Sequence, residues 1–163
     1  GIGVLVAFVA LIAMIDWFLG KGGVFLSNTI HLNLSFIGLD VNHLSMKAIV
    51  GKLFAVFAYL MGVSMKDASA VGSLLGTKFI LNEMLGYIDL VAVKNIISDK
   101  SFIIASFALC GFANLSSIAI QIGGIGEIAP NQRKNLSRLG IRALICGTLA
   151  SYMSACIAGI LLG

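Results

Sequence analysis

Charged residues are scarce in this sequence, and their scarcity excludes an ordinary soluble domain. Only 11% of the 163 residues are charged, whereas a soluble domain carries about 25%. Hydrophobic residues make up 59%, and the mean hydropathy is +1.04. So few polar groups cannot cover the surface of a soluble protein. The composition therefore predicts an integral membrane protein.

Three long apolar runs support this prediction. Gly1 to Gly20 is apolar except for Asp16, while Phe102 to Gly126 and Ala143 to Gly163 carry no charge at all. About 20 apolar residues suffice to cross a bilayer as a helix. The alternative is a set of buried helices in a large soluble protein. Three such runs in so short a chain would leave too little surface for that alternative.

The sequence also lacks the patterns that metal sites, disulfide frameworks and catalytic centres need. Cys110, Cys146 and Cys156 lie in apolar runs without a CxxC spacing. His31 and His43 lie far apart in a polar segment, and no histidine falls within an apolar run. We therefore predict no metal site, no cofactor and no enzymatic activity.

The chain opens with "GIGVLVAF", without an initiating methionine, and lacks the basic flank and the cleavage site of a signal peptide. We expect this first run to be a transmembrane helix and the chain to be part of a longer protein.

The basic residues of the chain are clustered only in "NQRKNLSRLGIR". The positive-inside rule places this connection in the cytoplasm. In a membrane protein the net charge of +4 does not indicate nucleic-acid binding.

The pattern along the chain predicts an all-α, polytopic membrane protein. Two segments, "KDASAVGSLLGTK" and "FILNEMLGYIDLVAVK", are each too short to span and meet at Asn82 and Glu83, which is typical of a re-entrant hairpin. A later apolar run is interrupted by "ANLSS", which predicts a broken helix. The predicted segments are a helix at 1–20, an interfacial loop at 21–46, a helix at 47–65, the hairpin at about 67–97, the broken helix at about 102–126 and a final helix at about 135–163.

Polar side chains at the two interruptions are the candidate functional residues. A carboxylate near the bilayer centre costs roughly 2.5–3.5 kcal/mol, so Glu83 is expected to face a cavity or a partner. A structural pair with Lys78 is the alternative. Asn114 and Ser117, three residues apart, share one helix face and could instead only join helices. Two interrupted segments carrying such groups predict a binding site at the membrane midplane of a transporter.

The side-chain chemistry indicates the kind of ligand. A carboxylate accepts hydrogen bonds, an amide both donates and accepts, and a hydroxyl does either. This combination suits a neutral, polyhydroxylated ligand better than an anion. A channel subunit would instead place polar residues along a whole helix face, whereas here they concentrate at two breaks.

Three stretches closely resemble the C-terminal half of the concentrative nucleoside transporters: "GSLLGTKFILNEMLGYIDL", "ALCGFANLSSIAIQIGGIGEIAP" and "RLGIRALICGTLASYMSACIAGILL". The resemblance implies a nucleoside:cation symporter of the inner or plasma membrane that forms homotrimers and moves a transport domain against a scaffold. It implies an inverted-repeat fold with two re-entrant hairpins. Residues 1–20 would then belong to the scaffold and residues 47–163 to the transport domain.

The resemblance also implies roles for four residues. Glu83 occupies the position of the acid in the second hairpin, which binds ribose hydroxyls. Asn114 and Ser117 match the ribose-binding residues of the broken helix, and Phe112 matches an aromatic residue that lines the pocket. The family's first hairpin, which reads the nucleobase and helps to bind the coupling cation, has no counterpart between Gly1 and Met46. We therefore expect the chain to hold the sugar half of the site, or to be an inactive structural fragment when isolated. The residues indicate neither the coupling ion, Na⁺ or H⁺, nor a purine or pyrimidine preference.

Overall fold

The computed structural model describes residues 2–30 and 40–163, and every regular element within them is helical. Single 3₁₀ turns occupy Val41–His43 and Pro130–Gln132. The all-α fold predicted from the sequence is confirmed. The seven α-helices are α1 (Ile2–Ile30), α2 (Met46–Leu60), α3 (Met65–Ile80), α4 (Glu83–Ala92), α5 (Asp99–Leu109), α6 (Leu115–Ile128) and α7 (Arg133–Leu161).

The first helix is longer than predicted. It continues past residue 20 to Ile30, so residues 21–30 are helical and do not belong to the predicted loop. Helix α1 includes Gly22 and Gly23, although each glycine within a helix costs about 1 kcal/mol. Gly23 gives room to a neighbour, because a Cβ there would lie 2.0 Å from the carbonyl oxygen of Val41. The rest of the predicted loop, 31–39 with His31, lies outside the described residues.

Two of the described helical stretches are long and apolar enough to cross a membrane. They are Val6–Thr29 within α1 and Pro130–Leu161, which includes α7. Large apolar side chains of α1 face outward, with Trp17, Phe18 and Phe25 each about 60% exposed. An outward apolar surface of this kind fits lipid better than water.

Helices α2 and α3 pack with their backbones in close approach. A Cβ at Gly72 would lie 2.5 Å from both the amide nitrogen of Ala55 and the carbonyl oxygen of Gly51. The turn between the two helices contains Gly62 at φ +99°, a conformation that glycine adopts without strain. The predicted helix at 47–65 therefore corresponds to α2, which ends at Leu60 because this turn follows.

The hairpin and the broken helix are both present. Helices α3 and α4 meet at Leu81 and Asn82, and α5 and α6 are separated by the segment from Cys110 to Asn114. Helix α5 is the centre of the core, because Ile104, Ala105, Ala108 and Leu109 are all fully buried. Side chains of α2, α3, α4 and α7 also belong to this cluster, among them Phe54, Ala58, Leu74, Leu75, Leu90, Tyr152 and Ala155. The core thus fixes the end of α5 beside the hairpin.

Candidate functional site

The tip of the hairpin places Glu83 at the start of a helix. Asn82 has an extended backbone and caps α4, since its side-chain oxygen accepts a hydrogen bond from the amide of Leu85 at 3.0 Å. Asparagine is among the best residues for this position. Glu83 therefore begins α4, where the free amides and the helix dipole favour a negative charge.

The break in the second helix is capped in the same way. Asn114 caps α6, and its side-chain oxygen accepts hydrogen bonds from the Ser117 amide at 2.7 Å and from the Ser117 hydroxyl at 2.9 Å. Its oxygen is thereby committed to the helix end. Its Nδ2 group points the other way and donates to Oε2 of Glu83 at 3.3 Å and to the carbonyl of Phe112 at 3.4 Å. Asn114 is only 2% exposed, so this orientation is held by its surroundings.

The structure thus brings together three of the four residues predicted for the site. Within residues 2–30 and 40–163, Asn114 is the only hydrogen-bond donor to the carboxylate of Glu83. An ionised carboxylate can accept about four hydrogen bonds. Glu83 is partly exposed and therefore retains capacity to bind hydroxyl groups of a ligand.

The alternative was a structural pair between Glu83 and Lys78, and the structure shows no direct ion pair between them, although their charges interact at longer range. Lys78 is 2% exposed, and its Nζ donates to the carbonyl oxygens of Ala108 at 2.9 Å and Cys110 at 3.3 Å. The ion pairs of the described residues join Lys47 to Asp89 and Arg133 to Glu127. Lys78 therefore serves the end of α5, a role that its sequence context did not reveal.

Phe112 lies apart from the core. Its side chain is 78% exposed and follows Gly111, whose φ of +105° turns the chain at the break. Phe112, Asn114 and Ser117 line a cavity of about 200 Å³ between α6 and α7. Gln121 lines it too, a role that sequence reasoning missed, although its i+4 spacing from Ser117 places both on one face. Glycine and alanine residues of α7 form the opposite wall: Gly140, Ala143 and Gly147.

The groups at the two breaks offer a carboxylate, an amide donor and a hydroxyl, but no free cation, because Lys78 is engaged by carbonyl groups. In the part of the chain that the structure describes, no group of three or more His, Cys, Asp or Glu side chains could hold a metal ion. The arrangement is therefore suited to hydrogen bonding with a neutral ligand that carries several hydroxyl groups.

Comparison with known proteins identifies close relatives. A family model described as the C-terminus of Na⁺-dependent nucleoside transporters matches residues 2–159. An uncharacterized transporter of Haemophilus influenzae is 42% identical over 98% of this chain and 36% of its own length. The nucleoside permease NupC of Helicobacter pylori is 41% identical over 76% of this chain and 31% of its own. Sodium/nucleoside cotransporter 1 of Rattus norvegicus is 39% identical over 78% of this chain and 22% of its own length.

Solved structures of CNTnw share the fold. A doubly substituted form in an outward-facing state matches with a TM-score of 0.83 and 40% identity, over 99% of this chain and 38% of that one. An inward-facing, substrate-bound state matches with a TM-score of 0.72 and 41% identity, over 96% and 36%. The chain spans about a third of the length of the curated bacterial relatives it matches.

Proposed function

This chain belongs to the concentrative, Na⁺-dependent nucleoside transporter family, matching its C-terminal region, and we propose on that premise that it supplies the sugar-binding half of the substrate site of a nucleoside:cation symporter. The family consists of membrane transporters and not of enzymes. The symporter acts in the inner or plasma membrane.

The observation that carries the proposal is the contact between the hairpin tip and the helix break. Asn114 Nδ2 lies 3.3 Å from Oε2 of Glu83, and Ser117 is tied to the same asparagine. In the proposed complex, the carboxylate of Glu83 accepts hydrogen bonds from ribose hydroxyls. Asn114 and Ser117 contact the same sugar, and the exposed ring of Phe112 lines the pocket.

The remaining functions belong to other parts of the transporter. The nucleobase and the coupling cation bind mainly to segments for which this chain has no counterpart. Transport proceeds in a homotrimer, in which α2–α7 move with the transport domain while α1 belongs to the scaffold. Supporting this division, the large apolar side chains of α1 are mostly exposed, whereas α3, α4, α5 and α7 share one core.

Uptake of radiolabelled uridine into vesicles that contain the full-length protein tests the proposal. We expect Glu83→Gln to lower uptake at least about tenfold, since each hydrogen bond to a charged group contributes about 1.5–3 kcal/mol. Glu127→Gln is the matched control, because Glu127 is exposed and pairs with Arg133 away from the site. Unchanged uptake in Glu83→Gln would remove Glu83 from the site, and a cation-independent wild type would overturn symport.

A further inference from the structure

Lys78 is a buried cation that makes no direct ion pair with a described residue, although the charge of Glu83 acts on it from a longer distance. It lies in α3, is 2% exposed, and has three acceptors around its Nζ: the carbonyl oxygens of Ala108 at 2.9 Å and Cys110 at 3.3 Å, and the hydroxyl of Ser151 at 3.4 Å. An ammonium group has three donors, so each donor has one acceptor. Burying a charge in this way is costly unless it is fully hydrogen-bonded, which indicates a specific role.

Two of the three acceptors of Lys78, the carbonyl groups of Ala108 and Cys110, belong to the open end of α5. The last four carbonyl groups of a helix have no partner within it. Lys78 supplies one for Ala108, and Tyr87 of α4 donates to the carbonyl of Ser106 at 2.8 Å. Ser151 of α7 donates to the carbonyl of Cys110 at 2.6 Å. The hairpin and α7 therefore cap the half-helix together, and the positive charge of Lys78 also complements the helix dipole.

The hairpin of α3 and α4 forms hydrogen bonds on both sides of the break between α5 and α6. Lys78 holds the side on which α5 ends, and Glu83 contacts Asn114 on the side where α6 begins. Between them the chain passes through Gly111 at φ +105°, a flexible residue type that does not by itself hold the two sides in register. The distance between Glu83 and Asn114 thus depends on where Lys78 holds Cys110.

We propose that Lys78 is a positioning residue for the substrate site, which sets the placement of Asn114 relative to Glu83 through the carbonyl groups of Ala108 and Cys110. Without the ammonium group, the carbonyl of Ala108 loses its donor, and the carbonyl of Cys110 keeps only the hydroxyl of Ser151. The segment from Cys110 to Ala113 then shifts, and the two sugar-binding groups separate. Binding groups must be held within about 0.5 Å to work together, so sugar recognition weakens. The inference rests on the proposed function.

The test uses uptake of radiolabelled uridine by the full-length protein in vesicles. It measures how strongly unlabelled uridine and its 2′,3′-dideoxy analogue each inhibit that uptake. The ratio of their inhibition constants measures recognition of the sugar hydroxyls. We expect Lys78→Met, which keeps the length of the side chain, to reduce this ratio about tenfold. Lys78→Arg retains the cation and is expected to stay within about threefold of the wild type. If Lys78 serves folding alone, Lys78→Met lowers the amount of uptake but leaves the ratio of the inhibition constants unchanged, and the proposal is overturned.

Ser151→Ala keeps the test decisive if Lys78→Met does not accumulate in the membrane. It removes a donor to Cys110 and an acceptor from Lys78 but leaves the charge, so we expect a reduction of about threefold. Glu83→Gln, run in parallel, separates the two hypotheses. If the ratio falls in Glu83→Gln but not in Ser151→Ala or Lys78→Met, the role of Lys78 is overturned and the proposed function stands. An unchanged ratio in Glu83→Gln overturns the proposed function itself.

Discussion

Two acidic side chains mark opposite ends of the hairpin, and their surroundings differ. Asp67, in the first turn of α3, is 4% exposed. Its Oδ2 accepts hydrogen bonds from the amide of Ser98 at 3.1 Å and from the hydroxyl of Ser98 at 2.9 Å. Glu83, at the tip, is partly exposed and receives one long hydrogen bond, from Asn114 at 3.3 Å. Both carboxylates lie at helix N-termini, where the dipole favours them equally.

The difference distinguishes a structural acid from the proposed binding acid. Ser98 caps α5, so Asp67 joins the N-terminal ends of α3 and α5 and leaves little room for anything else. Among the described residues, Glu83 accepts a side-chain hydrogen bond only from Asn114, the N-cap of α6, and it retains further lone pairs. In an apolar protein, a charge that persists with unused hydrogen-bonding capacity is better explained by ligand binding than by stability.

The largest expected effects come from replacing the acid at each end of the hairpin by its amide, in Asp67→Asn and Glu83→Gln. Asp67→Asn places an amide group against the donors of Ser98, so we expect the protein to lose about 2–3 kcal/mol of stability. The preference for uridine over its dideoxy analogue should survive. Glu83→Gln should do the reverse, with stability within about 0.5 kcal/mol of the wild type. Thermal unfolding in detergent and competition for uptake measure the two quantities. An equal loss of stability in both variants would show that Glu83, like Asp67, has a structural role.

A smaller effect is expected from separating the two tasks of Asn114. Asn114→Ser preserves the cap of α6, because serine and asparagine cap about equally well. It removes the Nδ2 donor to Glu83 and adds no charge at this buried position. We therefore expect stability within about 1 kcal/mol of the wild type, together with a clear loss of uridine uptake.

Asn114→Ala is the matched comparison, because it loses the cap as well and should cost about 1 kcal/mol more. Thermal unfolding and uptake of both variants provide the measurement. If Asn114→Ser transports uridine normally, Asn114 serves only to cap the helix.

Sequence reasoning could nominate the candidate site because its residues break a pattern. Glu83 and Asn114 are polar residues in apolar surroundings, and both lie where helical segments are too short to span. Such residues can be found without a fold, since their cost in a membrane is a local property. Phe112 was different, because an exposed aromatic residue in an apolar chain gives no signal, and only the family resemblance identified it.

Other features depended on contacts that the sequence does not encode locally. Lys78 was assigned Glu83 as a possible partner because they are close in sequence, whereas its acceptors come from α5 and α7. The extension of α1 to Ile30 was missed because residues 21–46 mix Gly, Asn, Ser and His with apolar residues, whereas Gly23 lies inside the helix and makes space for the backbone of Val41. In both cases the deciding group lies far away along the chain.

The smallest expected effect concerns a third acidic residue, Asp89. It tests whether the solvent exposure of a carboxylate predicts how much that carboxylate contributes to stability. Asp89 of α4 accepts hydrogen bonds from Lys47 at 2.7 Å and from Thr77 at 3.0 Å, but both charged side chains are more than a third exposed. Exposed ion pairs contribute about 0.2–1 kcal/mol and weaken with salt. We expect Lys47→Met to lower stability by about that amount at low ionic strength and by less at high ionic strength.

Lys52→Met on the same helix is the control for this prediction, because Lys52 donates to the neutral hydroxyl of Ser69 at 3.3 Å. Its effect on thermal unfolding should be smaller and independent of salt. A salt-insensitive loss of more than about 2 kcal/mol in Lys47→Met would place Asp89 with Asp67. Exposure would then be a poor guide, and the number of donors around a carboxylate would alone distinguish the structural acids from Glu83.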